Sequence, residues 1–404
     1  MKKIVSIDFI PDFEADDFEL IKKILKGYED LGAKRKVEEE LRKYFPQGEI
    51  LFFNSARSAL TFILKILKNI DSRREVLTQA FSCLVVPNAI KFAGLNPVFI
   101  DIGDDFNFSL EDLKNKITYN SLALIIQNTF GIPAKIDEIL NLAKEKNIFV
   151  IENLTHALGA KYKNIYLGNF GDIVLLSFNR NKVISSIIGG ALIIRNEFIS
   201  KEALREYEKV EEFNKVNLKK LLLGTLIFGF FKKFYHLKIT RGVLKILRSL
   251  KMTPEMVSQE EKLGMMPKDY LKKFPYELYP LLLNQLKKIE RFNNQRKKIS
   301  KIYMENLGIT FKISEFSEPI FLRYPYFSSQ RDEIIKEFSK EGIFLGDWYF
   351  CPLVPCNVNK EVFDYKKGSC PKTEEINKII FNLPTLISEE TAYEIIEKLK
   401  KWKE

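Results

Sequence analysis

Two short runs near the middle of the chain, IFVIE (148–152) and IVLLSF (173–178), are apolar at every position until each reaches a polar group. Side chains on a strand alternate between faces, so a run with no polar alternate needs cover on both sides. A parallel sheet sandwiched between helices supplies that cover. The flanking sequence keeps the same rhythm. EVLTQAFSCLVVPNAIKFAGLNPVFIDI (75–102) reads as strand, short helix ending near Gly94, and strand; LALIIQNTFGIPAKIDEILNLAKEKNIFVIE (122–152) repeats the unit with a Gly-Ile-Pro turn and an amphipathic helix. The two central strands bring Glu152, Asn153 and His156, then Asp172, Ser177 and Lys182, to one edge of the sheet. A lysine just after a buried strand is ordinarily a solvated helix start. An amine that is to form a Schiff base needs instead a partly desolvated, polar-lined pocket, and Lys182 has the neighbours for one.

Upstream, ILFFNSARSALTFILKIL (50–67) passes from an apolar strand through Asn54 and Ser55 into a helix with Leu60, Ile63, Leu64 and Leu67 on one stripe. A helix start presents backbone N–H groups and the positive end of the dipole, where a phosphate can sit; an ordinary serine cap is the plainer alternative. Before it, residues 1 to about 45 read as an arm with a short extended start and a charged surface helix, KRKVEEELRKYF.

With 404 residues and 46% apolar content, the chain has enough material for a large domain (1–275) and a smaller one (276–404). Cys83, Cys351, Cys356 and Cys370 lack paired metal spacing, and MKKIVSIDFIPDF lacks the pattern of a secretory leader. The expectation is four thiols in a reducing cytoplasm, no disulfide and no metal site. A formal charge of +11 suits anionic partners such as nucleotides, pyrophosphates or a membrane surface, and nothing resembles a nucleic-acid-binding module. Residues 200–275 are the least typical part. The apolar run Leu221 to Phe231, with Lys219, Lys220, Lys232 and Lys233 at its ends, is too short for the roughly 20 residues of a membrane span. It reads as a core or dimer-interface helix, a lid, or a basic amphipathic surface making peripheral membrane contact. His236 receives no role. Beyond 276 come a long polar-faced helix and a strand–helix alternation, in which Trp348, Tyr349 and YKKGSCPKTEE (365–375) are candidates for a substrate side; packing is the plainer reading of the aromatic pair.

The motif E-N-x-x-H-A-L-G-A at 152–160, then G-x-x-G-D at 168–172, S-F-x-x-x-K at 177–182 and Gly189-Gly190, resembles the pyridoxal-phosphate sugar aminotransferases of the DegT/DnrJ/StrS family, and the similarity extends over most of the chain. The resemblance implies a fold-type I α/β architecture: a three-layer large domain with a mostly parallel sheet, a smaller α+β C-terminal domain, and a homodimer with active sites at the subunit interface. It implies that Lys182 holds pyridoxal 5'-phosphate covalently, that Ser177 contacts the cofactor phosphate, that His156 stacks on the pyridine ring, and that the main-chain amides of Arg57 and Ser58 cradle the phosphate. Cys83 stands where the family often has a covering aromatic, with Phe81 two residues earlier. Asn153 replaces the aspartate that keeps the pyridine nitrogen protonated, Asn128 a frequent histidine, and Ile188 a frequent glutamate. The activity implied is amino transfer, from glutamate or a similar donor, to a nucleotide-linked keto sugar in polysaccharide or surface-glycan synthesis. There are two alternatives: a sugar dehydratase with the same cofactor, against which the retained Lys182 counts, and a degenerate, non-enzymatic scaffold that binds cofactor, sugar or membrane, for which Asn153, Asn128 and Ile188 count.

Overall fold

The computed structural model describes residues 5–6, 12–232, 242, 246–247, 249–250, 252, 256–308 and 311–402; Lys233 and His236 lie outside the described residues. The apolar runs form one seven-stranded sheet: β1 Glu49–Phe53, β2 Glu75–Gln79, β3 Asn96–Ile100, β4 Ser121–Ile126, β5 Phe149–Asn153, β6 Ile173–Ser177 and β7 Gly190–Ile194. Their order across the sheet is β1-β7-β6-β5-β4-β2-β3, parallel from β6 to β3, with β7 antiparallel to both neighbours.

Strand alternation divides the runs as the sequence requires. Ile151, Ile173, Leu175 and Leu192 pack on one face against Leu60, Ile63, Leu64 and Leu67 of helix α3 (Ala56–Ile70), whereas Val150, Val174, Leu176 and Ile193 face the other core. Each fully buried leucine or isoleucine is worth about 2 kcal/mol, so this double cover is the main stabilisation of the central strands. The earlier helices are α1 (Ala15–Leu25) and α2 (Ala33–Arg42). Following α3 are α4 (Val85–Phe92), α5 (Leu110–Lys116), α6 (Ile136–Glu145), α7 (Glu197–Glu208) and α8 (Lys215–Lys232). The β-α-β rhythm read from 75–152 is thus present as a parallel sheet with helices on both faces.

The register sets the strand ends side by side: Asn153 pairs with Leu175, Ser177 with Gly190, and Gly190 with Phe53. Gly190 is required there, because a Cβ at this position would lie 2.4 Å from the amide nitrogen of Ala56 at the start of α3. Alternation also separates the two acidic residues of the central motif from the site. Glu152 points away from Asn153 and accepts hydrogen bonds from the amides of Gly168, Phe170 and Gly171 (2.6–2.8 Å), and Asp172 accepts one from Val150 N–H. Both carboxylates therefore fasten the β5–β6 connection.

The C-terminal part contains α9 (Tyr279–Leu286), α10 (Ile289–Leu307), α11 (Arg331–Lys340), α12 (Pro371–Ile379) and α13 (Glu389–Lys400), with a two-stranded antiparallel sheet of β8 (Tyr324–Phe327) and β9 (Ile380–Leu383). Two expectations are corrected here. Cys351 and Cys356 form a disulfide across a turn that brings their Cα atoms to 5.6 Å, a proximity that sequence spacing does not reveal; Cys83 and Cys370 remain thiols. The run 365–375 does not face the cavity described below: the amides of Lys372 and Thr373 and the Thr373 hydroxyl donate to Asp101 just beyond β3, and Cys370 is buried beside Phe99. Helix α8 packs one side against α1, and among the described residues no helix is long and apolar enough to cross a membrane.

Candidate active site

A cavity opens at the ends of β5 and β6, lined by Asn153, Thr155, His156, Ser177, Asn179 and Lys182 on the strand side. Ser55, Ala56 and Arg57 from the start of α3, together with Ser82, Cys83 and Gln127, line it next, and Met256, Trp348, Tyr349 and Val354 complete it from distant parts of the chain. The structure therefore brings together Arg57, Cys83, Asn153, His156, Ser177 and Lys182.

Ser58 is the exception. It is fully buried, its amide donates to Ser55 Oγ and its hydroxyl to Asn54 Oδ1 at 2.7 Å. Ser55 is the N-cap, so the plain reading of this turn holds, and capping consumes the amide expected to face a phosphate. The cavity receives Ser55, Ala56 and Arg57 in its place. Arg57 is held by its side chain: Nη1 lies 2.6–2.7 Å from both carboxylate oxygens of Glu261 and donates to the carbonyl of Met256 at 3.0 Å.

Lys182 brings a buried amine to the cavity. Its pKa is lowered from 10.5 to about 7, first because burial strips water from the amine; Cys83 opposes the shift and the positive charge of Arg323 adds to it. No ion pair to Lys182 forms among the described residues. His156 is buried and its pKa is held well below 6.5, by burial first and then by Lys182 and Arg323; its imidazole is neutral. Burial pushes the Cys83 thiol up, which makes it a poor nucleophile near neutrality. Asn153 Oδ1 accepts the amide of Thr155 at 3.1 Å, closing an Asx turn at the strand end. Ser177 Oγ accepts a long bond from Asn179 N–H at 3.4 Å.

Trp348 lies against two of these groups. Its ring stacks on His156 with centroids 4.7 Å apart and planes at 19°, and Tyr349 continues the stack at 5.7 Å and 8°. Lys182 Nζ stands 4.7 Å from the indole centroid, and the guanidinium carbon of Arg323 stands 3.4 Å from it. Asn382 on β9 holds the backbone in place, accepting Trp348 N–H at 3.0 Å and donating to its carbonyl at 2.7 Å. The packing reading of the aromatic pair thus understated Trp348, which is part of the site. Met256 lines the cavity, Arg323 packs on its Trp348 and Glu261 holds its Arg57; none of the three was recognisable in the sequence, since only tertiary contacts bring them there. Asn128 and Ile188 stand outside it: Asn128 adopts a left-handed backbone conformation and accepts the Ala134 amide, and Ile188 is core.

The residues fit pyridoxal phosphate. A desolvated amine with a near-neutral pKa suits an aldehyde, the start of α3 beside Ser177 suits a phosphate, and the buried Nδ1 of His156 has no hydrogen-bond partner among the described residues. The fold and this lysine-centred cavity define an enzyme of the pyridoxal-phosphate class. Within that class, the chain belongs to the DegT/DnrJ/EryC1/StrS aminotransferase family, whose model matches residues 11–224 and 280–400. It is 27% identical to an uncharacterized protein of Methanocaldococcus jannaschii over 97% of both chains. It is 33% identical to a UDP-4-amino-4,6-dideoxy-N-acetyl-beta-L-altrosamine transaminase of Campylobacter jejuni, over 47% of this chain and 52% of that protein. In fold it matches Helicobacter pylori PseC, an aminotransferase involved in the biosynthesis of pseudoaminic acid, with a TM-score of 0.74 over 99% of each chain at 18% identity.

Proposed function

We propose that this enzyme transfers an amino group from glutamate or a similar donor to the keto carbon of a nucleotide-linked sugar, in the synthesis of a polysaccharide or surface glycan. The observation that carries the reading is Lys182, a desolvated amine in one cavity with Ser177, Asn153, His156 and the start of α3. Support for the substrate class comes from the transaminase of C. jejuni and from PseC, both named for amino-sugar chemistry. The family resemblance supports a homodimer.

Bound in this cavity, pyridoxal phosphate supplies the electron sink. The chain supplies the rest. Above pH 7 the Nζ of Lys182 is largely neutral and can take and return a proton. Ser177 and the start of α3 offer a hydroxyl and main-chain N–H groups to a phosphate. Asn153 gives the cavity wall an uncharged amide in place of a carboxylate, and a ring nitrogen held against it would be less favoured in its protonated form. The test is transfer of isotope from labelled glutamate to a panel of nucleotide keto sugars. Label in the sugar, dependent on added cofactor, is expected; no label from any sugar, with cofactor bound on Lys182, overturns the reading.

A further inference from the structure

The formal charge of +11 arises from 64 Lys and Arg residues against 53 Asp and Glu. Ten of the cations fall between Phe213 and Pro254, a stretch that contains no Asp or Glu, which leaves 54 cations against 53 acids in the rest of the chain. Nearly all of the net charge thus belongs to one segment. The family match stops at residue 224 and resumes at 280, so much of that segment lies outside it.

Helix α8 shows how the segment is mounted. Leu218, Leu221, Leu222, Thr225 and Phe228 are buried, and Gly229 lies so close to the Phe18 ring of α1 that a Cβ there would approach it to 2.4 Å. One side of the helix is therefore fixed to the body of the protein. The outer side carries Val216, Leu223 and Phe230, exposed by 61%, 46% and 66%. A spacing of seven residues is close to two helical turns, so these three side chains form one stripe. Lys215, Lys219 and Lys220 stand exposed on the same helix; Lys215 reaches Glu277 at 3.2 Å, whereas Lys219 and Lys220 form no ion pair among the described residues.

An apolar stripe flanked by cations can be covered by a second copy or by a lipid surface, and charge decides between them. Two copies meeting on this face would oppose like charges, while an anionic surface neutralises them. We propose that the outer face of α8 docks the enzyme on an anionic phospholipid bilayer, with Val216, Leu223 and Phe230 entering the headgroup boundary and Lys219 and Lys220 meeting lipid phosphates. The helix lies on the membrane and does not cross it.

The test is co-sedimentation of the full-length protein with phosphatidylglycerol–phosphatidylcholine vesicles and with phosphatidylcholine vesicles alone, at low and high salt. Binding to the anionic vesicles only, weakened by salt, is expected. Leu223→Ser with Phe230→Ser, and separately Lys219→Glu with Lys220→Glu, should each weaken binding about tenfold or more. Both variants should keep the wild-type elution volume and the visible absorbance of bound cofactor. No sedimentation with anionic vesicles at low salt overturns the proposal, as does a variant that binds them undiminished. A wild-type dimer that Leu223→Ser with Phe230→Ser splits to monomer assigns the face to a second copy and overturns it as well.

Discussion

On the strand-end side of the cavity, Asn153, His156, Ser177 and Lys182 all come from residues 153–182, and their positions follow from where β5 and β6 stop. On the other side, Met256, Trp348 and Tyr349 arrive from up to two hundred residues away and are held by contacts such as Arg57 with Met256 and Asn382 with Trp348. The first side is a consequence of local pattern, and the second of tertiary packing. The difference separates what the enzyme needs for its chemistry from what adjusts that chemistry. Loss of the Lys182 amine on the strand-end side should remove function, whereas changes opposite should tune stability, pH dependence and access.

The largest effect is expected at the strand-end side. Lys182→Ala should remove covalent capture of the cofactor and lower amino transfer on the order of 10³-fold, measured by single-turnover transfer from labelled glutamate. Survival of covalent capture in this variant would place the reactive amine elsewhere. Across the cavity, Glu261→Ala removes the partner of Arg57 and the side chain that closes the Ser258 capping box, both in a buried setting. It should lower the unfolding free energy by about 3 kcal/mol, read from the denaturant midpoint, with the Lys182 adduct still formed.

Trp348 is where the two sides meet, and pH reports on it. Because the Lys182 pKa is lowered to about 7, its neutral fraction rises about tenfold per pH unit below that value and levels off above it. Capture of added cofactor by the apoenzyme should follow the same curve. Trp348→Ala admits water to the amine, so the midpoint should move upward toward the ordinary lysine value of 10.5. A midpoint unchanged by the substitution would mean that other walls of the cavity desolvate Lys182.

The smallest effect is expected at Asn153. Restoring a carboxylate with Asn153→Asp should favour a protonated ring nitrogen and speed the half-reaction with amino donor by about tenfold, one pKa unit being worth about 1.4 kcal/mol. The visible spectrum of the bound cofactor should shift with it, a readout independent of turnover. No spectral change would show that Asn153, whose Oδ1 is engaged by Thr155, does not address the ring nitrogen.

The same contrast explains how much was legible in the sequence. The parallel sheet followed from runs such as IVLLS, because an all-apolar strand has one stable environment. The place of Lys182 and Ser177 on the cavity wall followed from their distance past a strand end. Ser58 was misassigned because a serine three residues after Ser55 looks the same whether its amide is free or spent on the cap. Trp348 was undervalued because a Trp-Tyr pair has no local pattern that separates a packed core from a stacked site; the deciding contact is with His156, 192 residues earlier. The Cys351–Cys356 disulfide was missed for a related reason, since only the turn between them brings the two Cα atoms close.

The central claim is that Lys182 is the amine around which the cavity is built. Borohydride reduction of the cofactor-loaded protein, followed by peptide mapping, tests it directly. A pyridoxyl adduct on Lys182, absent from Lys182→Ala, is the predicted result; an adduct on another lysine, or none in protein that retains the cofactor, contradicts the account.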